Sequence, residues 1–404
     1  MVTVAHPSRP TESARPHADP AHPEGAPRAH RFAALRHLGP NWYASVMGTA
    51  AVATAGAVLP VRLPGLRTAC TAVWSLSLTL LGVLLVARAL HWRHHRDQAR
   101  AHLRDPATAP FYGCLAMALL AVGAGAQAVG RDWIGTRAAV VLDAGLFTAG
   151  TAVAIAAAVA VPYLLTVRDR VAPLEATPVW LLPVVAPMVS AAVGPALVAH
   201  LPAGQARQTL LLTCVAMFGL SLVATLALLP LVLGRLLTTG TLPLALTPTL
   251  FLVLGPLGQS TTAVGTFADV APGVVRAPYG HGFGTLAVLY GVPVMGFALF
   301  WLVLAAAHVL RARRRGMGFT MTWWAFTFPV GTCVTGAVAL ARHTGLLVYD
   351  GLAVGLCGLL ATGWLAAATH TVRGLVSGAL LAAPPAAPPA PRPATARTTS
   401  GAAR

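Results

Sequence analysis

The stretch WWAFTFP, residues 323–329, lies inside an uncharged run from residue 316 to 341. Four aromatic rings in six residues are followed by a proline, which removes a backbone donor and clashes with the preceding turn. A helix that serves only to pack avoids such a residue. The segment therefore predicts a broken helix whose freed backbone groups face protein or a water-filled space rather than lipid.

The rest of the chain provides the setting for such a helix. Of 404 residues, 56% are hydrophobic and 10% charged, and the mean hydropathy is +0.70. No water-soluble domain of this length hides that much apolar surface, so the composition predicts an all-α integral membrane protein. Ten windows reach the roughly 20 apolar residues needed to cross a bilayer: 40–59, 68–90, 109–129, 138–165, 178–201, 209–233, 242–262, 284–309, 319–341 and 349–372. They define a ten-helix transmembrane domain over 39–374. The flanking 1–38, rich in Pro, His and Arg, and the Pro/Ala-rich 375–404 are expected to be disordered tails. The first tail lacks the apolar core of a secretory signal.

Loop charge orients the bundle. With the N-terminus inside, the cytoplasmic loops hold eleven arginines (Arg93, Arg96, Arg100, Arg104, Arg168, Arg170, Arg235, Arg311, Arg313, Arg314 and Arg315). The opposite loops hold seven (Arg62, Arg67, Arg131, Arg137, Arg207, Arg276 and Arg342). The imbalance predicts cytoplasmic termini in a multi-pass protein of the cell membrane. Short loops and an even count suggest five helical hairpins. Prolines in spans five, seven and nine (Pro183, Pro187, Pro195, Pro248, Pro256 and Pro329) and polar side chains in odd spans (Asn41, Gln127, Gln259 and Ser260) assign the odd spans to an inner layer. The even spans, built of Leu, Val and Ala, read as the lipid-facing wall.

Several function classes drop out. All 28 basic residues are arginine. Without a lysine there is no phosphate-binding P-loop and no Schiff base, so transport would be passive or ion-coupled unless a partner chain hydrolyses ATP. The cysteines, Cys70, Cys114, Cys214, Cys333 and Cys357, occupy five separate segments and read as packing residues, with no metal site.

Three stretches carry a family resemblance: LGPNWYASVMGTAAVATAG (38–56), PTLFLVLGPLGQS (248–260) and WWAFTFPVGT (323–332). They resemble the first, seventh and ninth helices of the tellurite-resistance/dicarboxylate transporter family, which includes fungal malate and sulfite carriers and the slow anion channel of plant guard cells. The similarity spans residues 38–372. It implies ten helices in five hairpins around a central pore, a homotrimer, and a pore-blocking phenylalanine that matches Phe328. One departure is visible: Ala50 and Ala51 stand where the family often has Gly-Ile, a change that either narrows the pore or alters a close helix contact.

On this basis Phe328 and Pro329 form the candidate gate, with Pro329 kinking the ninth helix by freeing the Ala325 carbonyl. An apolar constriction closes a pore by excluding water. The candidate lining comprises Phe326, Gly255, Pro256, Gly258, Gln259, Ser260, Gly48 and Thr49. Phe326 and Phe328 could equally be core rings, and the GPLGQS glycines could serve close helix packing. Trp323 and Trp324 read as interfacial anchors. Asp143, the one acid well inside a predicted span, is a candidate for proton coupling or a structural group in an outer helix. His308 and His370 read as interfacial histidines.

The expected activity is that of a channel or secondary carrier for a small anion, such as a C4-dicarboxylate, sulfite or a tellurite-related oxyanion. Its partners would be that anion and membrane lipid, with no nucleic acid and no cofactor. A neutral pore of hydroxyls, amides and helix-end dipoles would select anions, helped weakly by the net charge of +17. The competing classes are a membrane hydrolase using Ser260 and a histidine, disfavoured because Glu12, Glu24 and Glu175 lie outside the spans, and a non-conducting sensor whose basic tails bind anionic lipid.

Overall fold

The computed structural model describes residues 33–168 and 176–381. Of the expected tails, 1–38 and 375–404, residues 1–32 and 382–404 lie outside the described residues, as do Arg170 and Glu175; Ala33–His37 form a 3-10 helix and the last long helix runs to Val376, so those parts of the tails are ordered. Within the described residues, nine helices are long and apolar enough to cross a membrane. The first predicted span forms a shorter helix, α1 (Tyr43–Ala57), preceded by one 3-10 turn (Pro40–Trp42).

The remaining helices follow in order: α2 (Leu66–His94), α3 (Arg96–Arg104), α4 (Tyr112–Gly125), α5 (Arg131–Ile134), α6 (Thr136–Arg168), α7 (Leu181–Val193) and α8 (Pro195–Val198). Then come α9 (Gln205–Thr239), α10 (Leu254–Val270), α11 (Ala277–Arg314), α12 (Phe328–Thr344) and α13 (Leu347–Val376). A π-helical turn, Ala126–Gly130, joins α4 to α5.

Helix packing builds a closed ring: α1 packs on α4, α4 on α7, α7 on α10, α10 on α12, and α12 on α1. Each of these inner helices also packs on the long helix that follows it, α2, α6, α9, α11 or α13. That outer helix in turn touches the next inner one, so it sits in the groove between two neighbours.

Burial separates the layers. Between 78% and 89% of the apolar window is buried in the spans built on α4, α7, α10 and α12, against 22–33% in the five outer helices. Helix α1 buries twelve of its fifteen residues. The alternation of inner and outer spans expected from the sequence is thus present.

Proline alone was an incomplete guide to the inner layer. Pro162, Pro230 and Pro293 lie inside the outer helices α6, α9 and α11. On the inner spans, by contrast, the helix itself is interrupted. A 3-10 segment precedes each inner helix: Pro40–Trp42, Ala109–Phe111, Pro178–Trp180, Leu244–Val253 and Met321–Phe326. Pro329 then falls in the first turn of α12, where a missing N–H removes no helical hydrogen bond, while Pro256 lies where the 3-10 segment runs on into α10. The ninth span is therefore broken at Thr327 (φ −102°, ψ −86°) and restarted at Phe328, rather than kinked inside one helix. Gly345, with φ of 70°, ends α12 in the left-handed conformation that a side chain would disfavour.

Candidate functional site

The ring encloses two spaces. The larger, about 370 Å³, is lined by residues from all five inner spans, among them Ala51, Thr54, Gln127, Ala192, Gln259 and Thr335. The smaller, about 10 Å³, is lined by Met47, Met117, Leu181, Leu182, Val185, Leu252, Gly255, Phe328 and Pro329. In the first four inner spans the residues lining the small space precede those lining the large one, and in the fifth the two linings overlap at Phe328, so the two spaces lie in series along the bundle axis.

Phe328 lines both. Its ring is buried, and it opens α12 directly after the break at Thr327. The Thr327 hydroxyl donates to the Trp324 carbonyl at 2.6 Å, and the Gly331 amide donates to the Thr327 carbonyl at 3.0 Å, so backbone on both sides of the ring is tied down. The small space is lined by sulfur and aliphatic side chains, and the large one by alanines and valines together with five threonines, Gln127 and Gln259.

The other candidate residues separate into groups. Gln259 lines the large cavity, and Gly255 and Pro329 line the small one. Gly48 and Gly258 do not line either: a Cβ on Gly48 would come within 2.1 Å of the Thr327 hydroxyl oxygen, and one on Gly258 within 2.5 Å of the Cys333 backbone nitrogen. Their role is close helix approach. Thr49 accepts a hydrogen bond from the Trp364 indole of α13 at 3.0 Å, which turns it to the outer layer. Pro256 and Ser260 line a separate crevice with Leu226, Tyr290 and Phe297 of α9 and α11. Phe326 packs edge-on against Phe251 with centroids 4.9 Å apart, as a core ring. Gly48, Thr49, Pro256, Gly258, Ser260 and Phe326, expected to line the pore, line neither of the two spaces.

The two tryptophans are packed within the protein. Trp323 and Trp324 are buried; Trp324 donates to the Thr371 hydroxyl at 3.0 Å, and the Arg313 guanidinium lies 5.1 Å from the Trp323 ring centroid. His370 stacks on Phe319 at 5.2 Å. Ala51 lines the cavity and also closes on Gly331, where an added Cβ would stand 3.0 Å from its methyl group. Ala50, which stands at the glycine position, is fully buried and lines neither space, whereas Ala51 stands where the family has the larger isoleucine.

Sequence reasoning missed most of the polar lining. Thr54, Thr262, Thr266, Thr332 and Thr335 line the cavity, and the Thr262 and Thr335 hydroxyls lie 2.7 Å apart across the α10–α12 contact. Asp269 reaches its mouth because α10 extends to Val270, beyond the predicted end of the seventh span. There its carboxylate pairs with Arg342 at 3.0 Å and with His343 at 3.3 Å. Asp143 is buried on α6 and accepts a hydrogen bond from the Gln127 side chain. The signal for the threonines was available: Gln259, Thr262 and Thr266, like Phe328, Thr332 and Thr335, recur at the three- and four-residue steps of one helix face.

Comparison with known proteins places this five-helix ring in a family. Residues 37–372 match the family model described as voltage-dependent anion channel. The chain is 25% identical to an uncharacterized transporter of Methanocaldococcus jannaschii, over 85% of this chain and 95% of the relative. It is 26% identical to the sulfite efflux pump SSU1 of Arthroderma otae, over 86% of this chain and 94% of the relative. The same pump of Trichophyton rubrum matches at 26% over 81% and 88%. The motifs at the starts of α1, α10 and α12 and a family match across nearly all the described helices agree: this chain belongs to the voltage-dependent anion channel family, within the tellurite-resistance/dicarboxylate transporters.

Proposed function

We propose that this multi-pass membrane protein passes a small anion, with sulfite or a C4-dicarboxylate as the substrate class, through the axial cavity, and that the Phe328 ring is its stopper. The observation that carries this reading is that Phe328 alone lines both the 370 Å³ cavity and the 10 Å³ space in series with it. The smaller space is too tight for a hydrated ion, since one water needs about 10–15 Å³ of such volume. An anion crossing it sheds its hydration, and movement of a single ring removes that barrier.

In the full reading, α1 with its 3-10 turn makes the tenth crossing, the inner and outer helices form five hairpins, both termini are cytoplasmic, and the protein is a homotrimer. Sulfite enters as substrate through the fungal relatives, whose name states sulfite efflux. The test is uptake of sulfite, malate and chloride into liposomes holding the purified protein, one anion at a time. Flux of at least one above protein-free liposomes is expected; flux of none removes the reading.

A further inference from the structure

The cavity has few hydrogen-bond donors to offer an anion. Its five threonines lie within donating reach of backbone carbonyls of their own helices: Thr54 to Ala50 at 3.1 Å, Thr262 to Gly258 at 3.0 Å, Thr266 to Ala263 at 2.9 Å, Thr332 to Pro329 at 2.7 Å and Thr335 to Thr332 at 3.0 Å. A hydroxyl has one proton, so each turns toward a permeating ion only by breaking that bond. Among the neutral side chains lining the cavity, the amides of Gln127 and Gln259 remain as donors.

Gln127 is held in an unusual way. It lies in the π-helical turn, a feature often found where a helix serves function. Two side chains of α2 brace that turn: the Trp74 indole donates to the Val122 carbonyl at 3.0 Å, and the Thr71 hydroxyl reaches the Val129 carbonyl at 3.4 Å. The Gln127 Nε2 donates to Asp143 Oδ2. Asp143 is 2% exposed, and its second oxygen, Oδ1, is buried without a partner. Gly123 makes the room, since a Cβ there would stand 2.6 Å from Oδ1.

We propose that Gln127 is the cavity's anion-contacting amide and that Asp143, by gaining or losing a proton, decides which end of that amide faces the ion. The inference rests on the anion-passage reading above. A charged carboxylate only accepts, so it draws the Gln127 N–H groups toward α6 and leaves the amide oxygen for the cavity. A protonated Asp143 donates its O–H. The Gln127 oxygen then becomes its partner, and both N–H groups turn to the cavity. The same proton removes a negative charge beside the path, so both effects favour an anion.

Few other titratable groups compete around Asp143. Helix α7 and the π-helical turn carry no charged side chain, and α4 carries Tyr112 and Cys114 two or more turns away. On α5, Asp132 is paired with Arg67 at 2.6 Å and Arg131 stands beside it; α6 itself contributes Arg137. His200 is the titratable side chain whose field reaches Asp143. Across the cavity stand Asp269, Arg342 and His343.

The test measures chloride flux into proteoliposomes at pH 8 and pH 5. Wild-type flux should rise about tenfold on acidification, the order expected when a unit charge disappears within about 10 Å of the ion at an intermediate dielectric. Asp143→Asn and, as an independent variant on the cavity side, Gln127→Met should conduct with a flattened pH response. His200→Gln and His343→Gln should keep it. A wild-type pH profile in Asp143→Asn overturns the proposal, as does its loss in a histidine variant alone. Difference infrared spectroscopy supplies a readout that needs no flux: the protonated-carboxyl band of Asp143 should appear on acidification, shift in Gln127→Met and vanish in Asp143→Asn. If the wild type passes no anion at any pH, the function fails, and the infrared bands still decide whether the proton and amide move together.

Discussion

Replacing Phe328 by alanine tests the stopper directly. The ring separates a cavity of about 370 Å³ from a space of about 10 Å³. Truncation to a methyl group frees on the order of 100 Å³, room for about three waters at ~30 Å³ each. A continuous water path then replaces a dry one, and the anion keeps part of its hydration. Stripping an ion costs several kcal/mol in a protein interior. Recovering about 2–4 kcal/mol of that barrier raises flux roughly 30- to 1000-fold, at 1.4 kcal/mol per decade.

The same change lowers stability less than an ordinary core truncation, because the new space joins the larger cavity instead of remaining a sealed void. The loss should fall below the roughly 3–5 kcal/mol typical of buried Phe→Ala. Stopped-flow uptake reads the flux, and thermal melting in detergent reads the fold. Phe326→Ala is the control: two residues away, its ring packs on Phe251 and lines neither space, so flux should stay at the wild-type level. Unchanged flux in a folded Phe328→Ala protein, or equal gains in both variants, refutes the reasoning.

Three further outcomes follow from named contacts. Gly258→Ala should destabilise the protein by about 1–3 kcal/mol, read as a lower melting temperature, because its Cβ would meet the α12 backbone within 2.5 Å and force the α10–α12 pair apart. Arg342→Ala should reduce anion flux most at low salt by leaving Asp269 unneutralised at the cavity mouth, and adding Asp269→Asn should restore it. On α3, outside the crossing helices, burial first and then the charges of Arg88 and His91 push His102 from 6.5 down to about 4. The unfolded chain therefore binds more protons between those values, so the stability His102 contributes is complete above about pH 6.5 and lost as pH falls toward 4. Hydrogen exchange across residues 96–104 should speed up over that interval, by an amount worth on the order of 2 kcal/mol after allowing for partial exposure, and His102→Gln should flatten the response.

The layering was legible in the sequence, while the facing of individual residues was not. Apolar windows located the crossing segments because length and hydropathy are sufficient for that purpose. A motif at the start of the ninth span drew attention to Phe328. Yet Thr49, Pro256, Ser260 and Phe326 lie on the same inner spans as the residues that line the two spaces, and line neither. In a soluble bundle, an apolar stripe opposite a polar face would have told them apart. Here an inner helix meets apolar neighbours on most sides and an outer helix meets lipid, so hydropathy carries almost no directional signal. Asp269 was missed for a related reason: a charge normally ends a predicted span, whereas pairing with Arg342 and His343 lets α10 carry it to the helix end.

Side-chain chemistry is the signal that survives in such a setting. A threonine inside a membrane helix satisfies its own proton on the preceding turn, so it costs little wherever it faces and cannot by itself mark a pore. A glutamine amide has no such local solution at normal helical spacing; it needs partners from elsewhere or water. Gln127 and Gln259 both line the cavity, on opposite sides of the ring in α4's π-turn and in α10. The amides were therefore better markers of the cavity than the prolines, which also lie in three outer helices, or the hydroxyls. The buried Asp143 gains meaning through the same logic, because a carboxylate on a lipid-facing helix is tolerable where it holds an amide that the cavity needs.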